Sequence, residues 1–226
     1  MTSKPWFIVA FMVGVALVFG SAVTGIYLGA ADLLERNSEF LRQRALIEVF
    51  DYGDPDRLDK AAVAAMVRER VVAGEVRTDP ETGRQFALLK AYEDAGRTTL
   101  RAYGVPFRGM GFWGPVQGIL AVSPDLTRTL GLVILEQSET PGLGGRIEEP
   151  IFTDQFRDGI AIAPNPSGPV LRIAAPGSPN ADGRHVDAIS GATQTCLAVD
   201  RLLNDHLESL HRAMAQPPQD PPTGRP

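Results

Sequence analysis

Residues 85–92 read Gln85-Phe86-Ala87-Leu88-Leu89-Lys90-Ala91-Tyr92, an apolar-rich run that is typical of a β-strand. A polar turn follows around 94–96, and residues 98–103 predict a second strand, so the two runs form a predicted hairpin. A similar pair at 116–122 and 129–135 is joined by a turn at Ser123-Pro124-Asp125. With a further short strand at 170–174, the sequence predicts a sheet of antiparallel strands.

Three helices are predicted outside these strands. Residues 31–50 carry a rough apolar stripe, and residues 59–72 predict a second helix that Asp59 caps. Residues 193–214 have a broad apolar face that includes Leu203 and Leu207. Helices beside antiparallel strands, without an internal repeat, give the α+β class.

The N-terminal segment is the most apolar part of the chain, because residues 5–31 contain no charged side chain. A bilayer core of about 30 Å needs about 20 apolar helical residues, so we expect a single N-terminal transmembrane helix. A cleaved signal peptide is the alternative, but its apolar core is shorter, at about 7–15 residues. Ser21, Gly25 and Gly29 share one face of this helix and would admit a neighbouring helix. The flanking charges do not settle the orientation.

These patterns predict five segments. They are a short N-terminus at 1–4, the transmembrane helix at 5–31, a helical juxtamembrane region at 32–75, the main domain at 76–214 and a proline-rich disordered tail at 215–226.

Composition excludes several classes of function. The net charge of −5 argues against nucleic acid as a partner, since phosphate binding requires a basic patch. The chain has one cysteine, Cys196, so it forms no internal disulfide and no four-cysteine metal site. Its three histidines do not form a ligand cluster, and His206 and His211 are expected to be solvated on the last helix. No metal site is predicted.

A glycine-rich stretch, Gly109-Met110-Gly111-Phe112-Trp113-Gly114, matches the dinucleotide-binding pattern G-x-G-x-x-G. That pattern requires a helix immediately after it, whereas Val116 begins a predicted strand. We therefore reject a dinucleotide site. Phe112 and Trp113 are either core residues or the wall of a site for an aromatic cofactor.

Two further loops are candidates for binding. Glu139-Thr140-Pro141-Gly142-Leu143-Gly144-Gly145 predicts a tight loop that offers backbone N–H groups at close range. Asp187-Ala188-Ile189-Ser190-Gly191-Ala192-Thr193 leads into the last helix, with Ser190 as the predicted N-cap. The unpaired N–H groups of the first turn and the helix dipole favour an anion there.

Together, the Glu139–Gly144 motif and Ser190-Gly191-Ala192-Thr193, about fifty residues later, resemble the FMN-binding domain family. They are similar to those of the C subunit of the sodium-pumping NADH:quinone reductases and of the G subunit of the Rnf electron transport complexes. The resemblance covers roughly residues 80–212 and the N-terminal anchor, and residues 32–75 carry no matching motif.

The resemblance implies that FMN is bound covalently, through a phosphoester to Thr193. It implies that a flavin transferase attaches the FMN and recognises Asp187. The remaining cofactor-binding residues that it implies are Ser190, Gly191, Ala192, Glu139, Thr140, Leu143, Gly144 and Trp113. No residue of the chain is expected to be catalytic.

The resemblance also implies a location and a role. It implies that residues 1–4 lie on the cytoplasmic side of the bacterial inner membrane and the flavin domain on the periplasmic side. There it relays single electrons between an iron–sulfur centre and another flavin in neighbouring membrane subunits of an ion-translocating oxidoreductase. The chain has no independent turnover in this interpretation. One alternative is a stand-alone membrane-anchored flavoprotein that passes electrons to an extracytoplasmic acceptor, and another is a non-redox scaffold.

Three residues depart from the family pattern. Ala188 stands where glycine is usual, and Cys196 stands where serine is common. Thr195 is a second threonine near the acceptor position, but it is turned about 200° from Thr193 on a helix. We therefore expect Thr193 to be the acceptor and Cys196 to be a small buried residue.

Overall fold

The structure is a computed structural model that describes residues 5–166 and 168–216. It divides into two compact units, Met1–Arg42 and Gln43–Pro226. Helix α1 (Pro5–Val49) begins in the first unit. Within the described residues, Trp6–Ala30 is one segment of 25 residues whose length and mean hydropathy of 2.4 suit a membrane span. The predicted apolar helix is therefore confirmed. Residues 1–4 and 217–226, where an N-terminus on the cytoplasmic side and most of a disordered tail are predicted, lie outside the described residues.

The second unit is built on a five-stranded antiparallel sheet whose strands pair in chain order. The strands are β1 (Val71–Thr78), β2 (Gln85–Tyr92), β3 (Leu100–Met110), β4 (Pro115–Val122) and β5 (Thr129–Glu136). Two short strands, β6 (Arg172–Ala174) and β7 (His185–Asp187), form a separate parallel pair. The helices are the end of α1, α2 (Lys60–Arg70), the one-turn α3 (Pro150–Thr153) and α4 (Thr193–Met214).

Both faces of the sheet are covered. Alternation along β2 turns Phe86 and Leu88 toward a core that they share with Val199, Leu203 and Leu207 of α4. Ala91 on the opposite face belongs to a second core, with Val49 and Phe50 at the end of α1. The predicted α+β class, with an antiparallel sheet and flanking helices, is confirmed.

The sequence prediction was wrong in three places. The second helix was predicted to reach Val72, but it ends at Arg70 and β1 begins at Val71 without a break. The strands of the β6–β7 pair run parallel, whereas only antiparallel strands were expected. Neither histidine of α4 is solvated as expected. His206 is buried, and its ring lies edge-on to the rings of Phe86 and Phe107. His211 is half-buried, and its Nε2 lies 2.7 Å from the carbonyl of Ile162.

The far end of α4 is fastened to the β1–β2 turn. Asp79 is fully buried there and accepts hydrogen bonds from Arg212, Ser209 and Thr82. The hydrogen bonds from Arg212 hold the pKa of the Asp79 carboxyl well below its usual range. Just beyond the helix, the Gln216 carbonyl accepts a hydrogen bond of 2.6 Å from Arg77. The position of α4 against the sheet is therefore fixed at this end.

Candidate functional site

Thr193 is the first residue of α4, and its side chain is exposed. Ala192 occupies the N-cap position, and in the described part of the chain no side chain caps the helix. Ser190 is therefore not the N-cap that the sequence predicted. The N–H groups of the first helical turn have no acceptor within the helix, so the Thr193 hydroxyl stands where negative charge is stabilised.

The predicted loop after β5 is tightly folded. The carbonyl of Thr140 accepts hydrogen bonds from the N–H groups of Leu143, at 3.1 Å, and Gly145, at 3.0 Å. Leu143 remains 47% exposed, whereas Glu139 at the start of the loop is only 5% exposed. The loop thus presents an apolar side chain outward and turns its carboxylate inward.

The Gly109–Gly114 stretch connects two strands as a hairpin and is not followed by a helix, so the rejection of a dinucleotide site is confirmed. Gly109 and Met110 end β3, Pro115 begins β4, and the N–H of Gly111 donates to the carbonyl of Gly114 at 2.7 Å. The rings of Phe112 and Trp113 lie edge to face, with their centroids 5.1 Å apart. Trp113 is 67% exposed, so it forms part of the surface and not of the core.

These three segments enclose a recess of about 220 Å³, which we call the aromatic recess. Its lining includes seven of the predicted cofactor-binding residues, namely Trp113, Thr140, Leu143, Gly144, Gly191, Ala192 and Thr193. Phe112, Gln194 and Thr195 complete it. Glu139 does not line the recess but contacts two of its segments, since it accepts hydrogen bonds from the Trp113 N–H, at 2.9 Å, and from the Thr195 hydroxyl, at 2.6 Å.

Ser190 and Asp187 lie outside the aromatic recess. Both line a larger recess of about 670 Å³, together with Arg146, Gln155 and His185. Gln155 holds the backbone of Asp187 from both sides: its oxygen accepts from the Asp187 N–H at 2.6 Å, and its amide donates to the Asp187 carbonyl at 3.2 Å. The Asp187 carboxylate lies 2.8 Å from Nε2 of His185.

Sequence reasoning missed Gln155 and His185. His185 stands two residues before Asp187 on β7, so strand periodicity places both side chains on one face and provided a signal. Gln155 is 32 residues from Asp187, and nothing in its local sequence indicates the contact.

Thr193 also borders a third recess, of about 500 Å³. Its lining includes Ile173, Pro176, Leu197 and residues 188–191 before α4. Cys196 is 2% exposed and its sulfur accepts a hydrogen bond from the N–H of Ile189 at 3.3 Å. Burial raises the pKa of the Cys196 thiol, so its predicted role as a small buried residue is confirmed.

Within the described residues, no group of three or more His, Cys, Asp or Glu side chains is placed to hold a metal ion. The aromatic recess itself offers an exposed hydroxyl at a helix start, beside aromatic and apolar side chains.

Part of the chain matches a known family. Residues 111–208 match the FMN-binding domain. The chain is 39% identical over 108 residues to the C subunit of the Na⁺-translocating NADH-quinone reductase of Pasteurella multocida, and the match covers 47% of this chain and 40% of that protein. It is 28% identical over 214 residues to the same subunit of Vibrio vulnificus, covering 81% of this chain and 83% of that protein.

Two solved structures share the fold. The crystal structure of the C subunit from Parabacteroides distasonis has a TM-score of 0.67, with 21% identity over 81% of this chain and 96% of that chain. That of Shewanella oneidensis NqrC has a TM-score of 0.61, with 21% identity over 77% and 96%. The match to the Vibrio campbellii relative spans 34% of that protein's length. Residues 111–208 thus match the FMN-binding domain family, and the chain resembles the C subunits of the Na⁺-translocating NADH-quinone reductases in sequence and in fold.

Proposed function

We propose that this chain is a membrane-anchored flavoprotein that carries FMN as a phosphoester on Thr193. In this proposal it relays electrons within a membrane complex of the Na⁺-translocating NADH-quinone reductase type. The observation that carries the proposal is the exposed Thr193 hydroxyl at the rim of the aromatic recess. The relatives named above favour this type of complex over the Rnf type.

Thr193 is suited to hold the FMN phosphate. A phosphoester there leaves a negative charge beside the free N–H groups of the first turn and the positive end of the α4 dipole. Thr195 is unsuited, because it is 4% exposed and its hydroxyl donates to Glu139. A modifying enzyme can reach only the first of the two threonines.

The aromatic recess is suited to a planar ring system. The rings of Trp113 and Phe112 and the side chain of Leu143 line it. These side chains would orient the ring and keep water from one of its faces. When bound, FMN supplies the electron transfer itself, and the protein supplies position and electrostatics.

The remaining parts of the proposal concern location and partners. The Trp6–Ala30 helix would anchor the chain in the bacterial inner membrane, with the flavin domain on the periplasmic side. Other membrane subunits would supply and accept the electrons and move the ion, so the chain alone turns over no substrate. A flavin transferase would recognise the loop around Asp187, which Gln155 holds in place at the larger recess.

Intact mass of the full chain tests the attachment. The chain is produced in a host with an exported, active flavin transferase and compared with Thr193→Ala and Thr195→Ser variants. We expect a mass gain of one FMN less one water in the parent and in Thr195→Ser, and no gain in Thr193→Ala. A parent without the adduct, from cells in which the transferase modifies another substrate, would refute the covalent-flavin proposal.

Assembly is tested separately on the membrane helix. Leucine at Ser21, Gly25 and Gly29 would remove the face that admits a neighbouring helix. We expect these variants to keep the flavin but to lose co-purification with the other subunits. Variants that co-purify like the parent would show that this face does not hold the neighbouring helix. A parent chain that does not co-purify with any other subunit of the bacterium's own complex would favour the stand-alone flavoprotein.

A further inference from the structure

Glu139 is a buried carboxylate inside the flavin domain. It is 5% exposed, and a carboxylate in such a position requires hydrogen-bond donors to offset the loss of water. Each of its two oxygens has one: Oε1 accepts from the backbone N–H of Trp113 and Oε2 from the Thr195 hydroxyl. The donors lie 26 residues before and 56 residues after it in the chain. One side chain of the loop after β5 is therefore hydrogen-bonded both to the β3–β4 hairpin turn and to the start of α4.

Two glycines, Gly111 and Gly144, leave room for this side chain. A Cβ atom on Gly111 would lie 2.4 Å from Oε1 of Glu139. A Cβ atom on Gly144 would lie 2.4 Å from Oγ1 of Thr195 and 3.0 Å from Oε2 of Glu139. Both 2.4 Å distances are shorter than any ordinary contact, so a side chain at either position would displace Glu139 or Thr195.

The two donors belong to the segments that define the aromatic recess. The Trp113 backbone carries the ring that forms one wall, and Thr195 lies in the same helical turn as Thr193. Glu139 therefore connects the aromatic wall to the helical turn that carries the attachment point.

We propose that Glu139 is the positioning residue of the flavin site, and that Thr195 is its anchor on the helix. The carboxylate holds the Trp113 turn and the start of α4 at the spacing that a ring tethered to Thr193 requires. The role of this spacing in flavin binding rests on the proposed function, but the two hydrogen bonds of Glu139 form without the flavin. Glu139 acts through Trp113 and Thr195 and does not itself hold the cofactor.

Side-chain chemistry gives a matched set of variants. Glutamine at 139 can accept from the Trp113 N–H through its oxygen and donate through its amide to the Thr195 hydroxyl, which rotates to accept. Glu139→Gln therefore keeps both hydrogen bonds, and Glu139→Ala removes both. Likewise, Thr195→Ser keeps the hydroxyl, whereas Thr195→Val keeps the volume and loses the hydrogen bond.

Tryptophan fluorescence reports the position of the turn directly. The chain has two tryptophans, Trp6 and Trp113, so a Trp6→Phe background leaves Trp113 as the single probe. In full-length, flavin-free Thr193→Ala protein in detergent, we expect a drop in Trp113 anisotropy for Glu139→Ala and Thr195→Val. Glu139→Gln and Thr195→Ser should retain the parent value.

The flavin-loaded protein provides the second readout. In variants that retain Thr193, we expect Glu139→Ala and Thr195→Val to lose the visible circular dichroism that the site induces in the flavin, and Glu139→Gln and Thr195→Ser to keep it. A general loss of folding would not produce this pairing, and thermal unfolding of each variant checks that it is folded at the assay temperature.

Two results would overturn the proposal. Anisotropy and flavin dichroism that are unchanged in Glu139→Ala and Thr195→Val would show that the turn is held without Glu139. Glu139→Gln behaving like Glu139→Ala would show that the charge matters and not the spacing. Failure of the proposed function is a separate outcome, since it appears as a missing FMN adduct on the parent, and the anisotropy test does not depend on it.

Discussion

Substitution of Gly144 by alanine should destabilise the loop after β5 through one contact. The new Cβ would lie 2.4 Å from Oγ1 of Thr195, whereas ordinary contacts begin at 3.4 Å, so the two groups must separate by the difference. Such a movement stretches the 2.6 Å hydrogen bond from Thr195 to Glu139 beyond a useful length. Hydrogen bonds to charged groups contribute about 1.5–3 kcal/mol, so we expect a loss of that size.

Gly142→Ala is the matched control in the same loop. A Cβ at Gly142 meets nothing within 4 Å, but its φ of +73° is unfavourable for alanine. The expected cost is therefore about 1 kcal/mol of backbone strain, without an effect on Glu139. For a chain of this size, 1 kcal/mol corresponds to about 2–4 °C in Tm, so thermal unfolding followed by near-UV circular dichroism resolves the two variants.

A double-mutant cycle isolates the contact. In a Thr195→Ala background the oxygen that opposes the new Cβ is absent, so Gly144→Ala should cost less than half of what it costs in the parent. Gly142→Ala should cost the same in both backgrounds. An equal cost of Gly144→Ala in both backgrounds would refute the reasoning, because the alanine would then act elsewhere in the loop.

Three further predictions concern the core and the response to pH. Leu203→Ala removes a fully buried side chain between α4 and the sheet and should cost about 2–5 kcal/mol in chemical denaturation, with little change in flavin attachment. The hydrogen bonds from Arg212 lower the pKa of Asp79, so the carboxylate stabilises the folded state above the unfolded pKa of about 3.9 and this stability is lost on acidification. In Asp79→Asn, the free energy of unfolding should therefore fall less steeply as the pH is lowered below about 4. Burial lowers the pKa of His206 and of His211, so the neutral rings stabilise the folded state above about pH 6.5 and this stability is lost as the pH falls. The free energy of unfolding in urea should therefore decrease less between pH 7.5 and 5.5 for His206→Phe than for the parent.

The outcomes that contradict these predictions are specific. A Leu203→Ala variant as stable as the parent would mean that the α4 core is not packed as described. If the free energy of unfolding of Asp79→Asn decreases at low pH as steeply as that of the parent, Asp79 is not the cause of the decrease. A pH response in His206→Phe equal to that of the parent would leave His211 or the carboxyl groups responsible.

Most of the sheet and the last helix could be predicted because their signals are local. The apolar-rich run of residues 85–92 and the apolar face of 193–214 predict the observed bounds of β2 and α4. Asp59 caps α2 as predicted, since an aspartate three residues before an N–H is a local arrangement. These elements depend on residues within one or two turns of each other.

What the sequence could not provide depends on distant partners. Strand β1 begins at Val71, immediately after α2 ends at Arg70, and no glycine or proline marks this boundary in the sequence. Its pairing with β2 therefore makes it a strand. The three-residue strands β6 and β7 are too short to show a period. At the site, the motifs identified Glu139 and Trp113 but not the hydrogen bond between them, since nothing local in either segment specifies the other.

The chain order of the sheet has a consequence for synthesis. Strands β1 to β5 pair with their sequence neighbours, so a growing polypeptide has every partner it needs for the sheet soon after β5 is made. The loop around Asp187 and the hydroxyl of Thr193 both follow β5 in the chain. A flavin transferase that recognises this loop would therefore act after every partner of the sheet has been made. In the proposed function, flavin attachment would then be confined to chains whose sheet can already be complete.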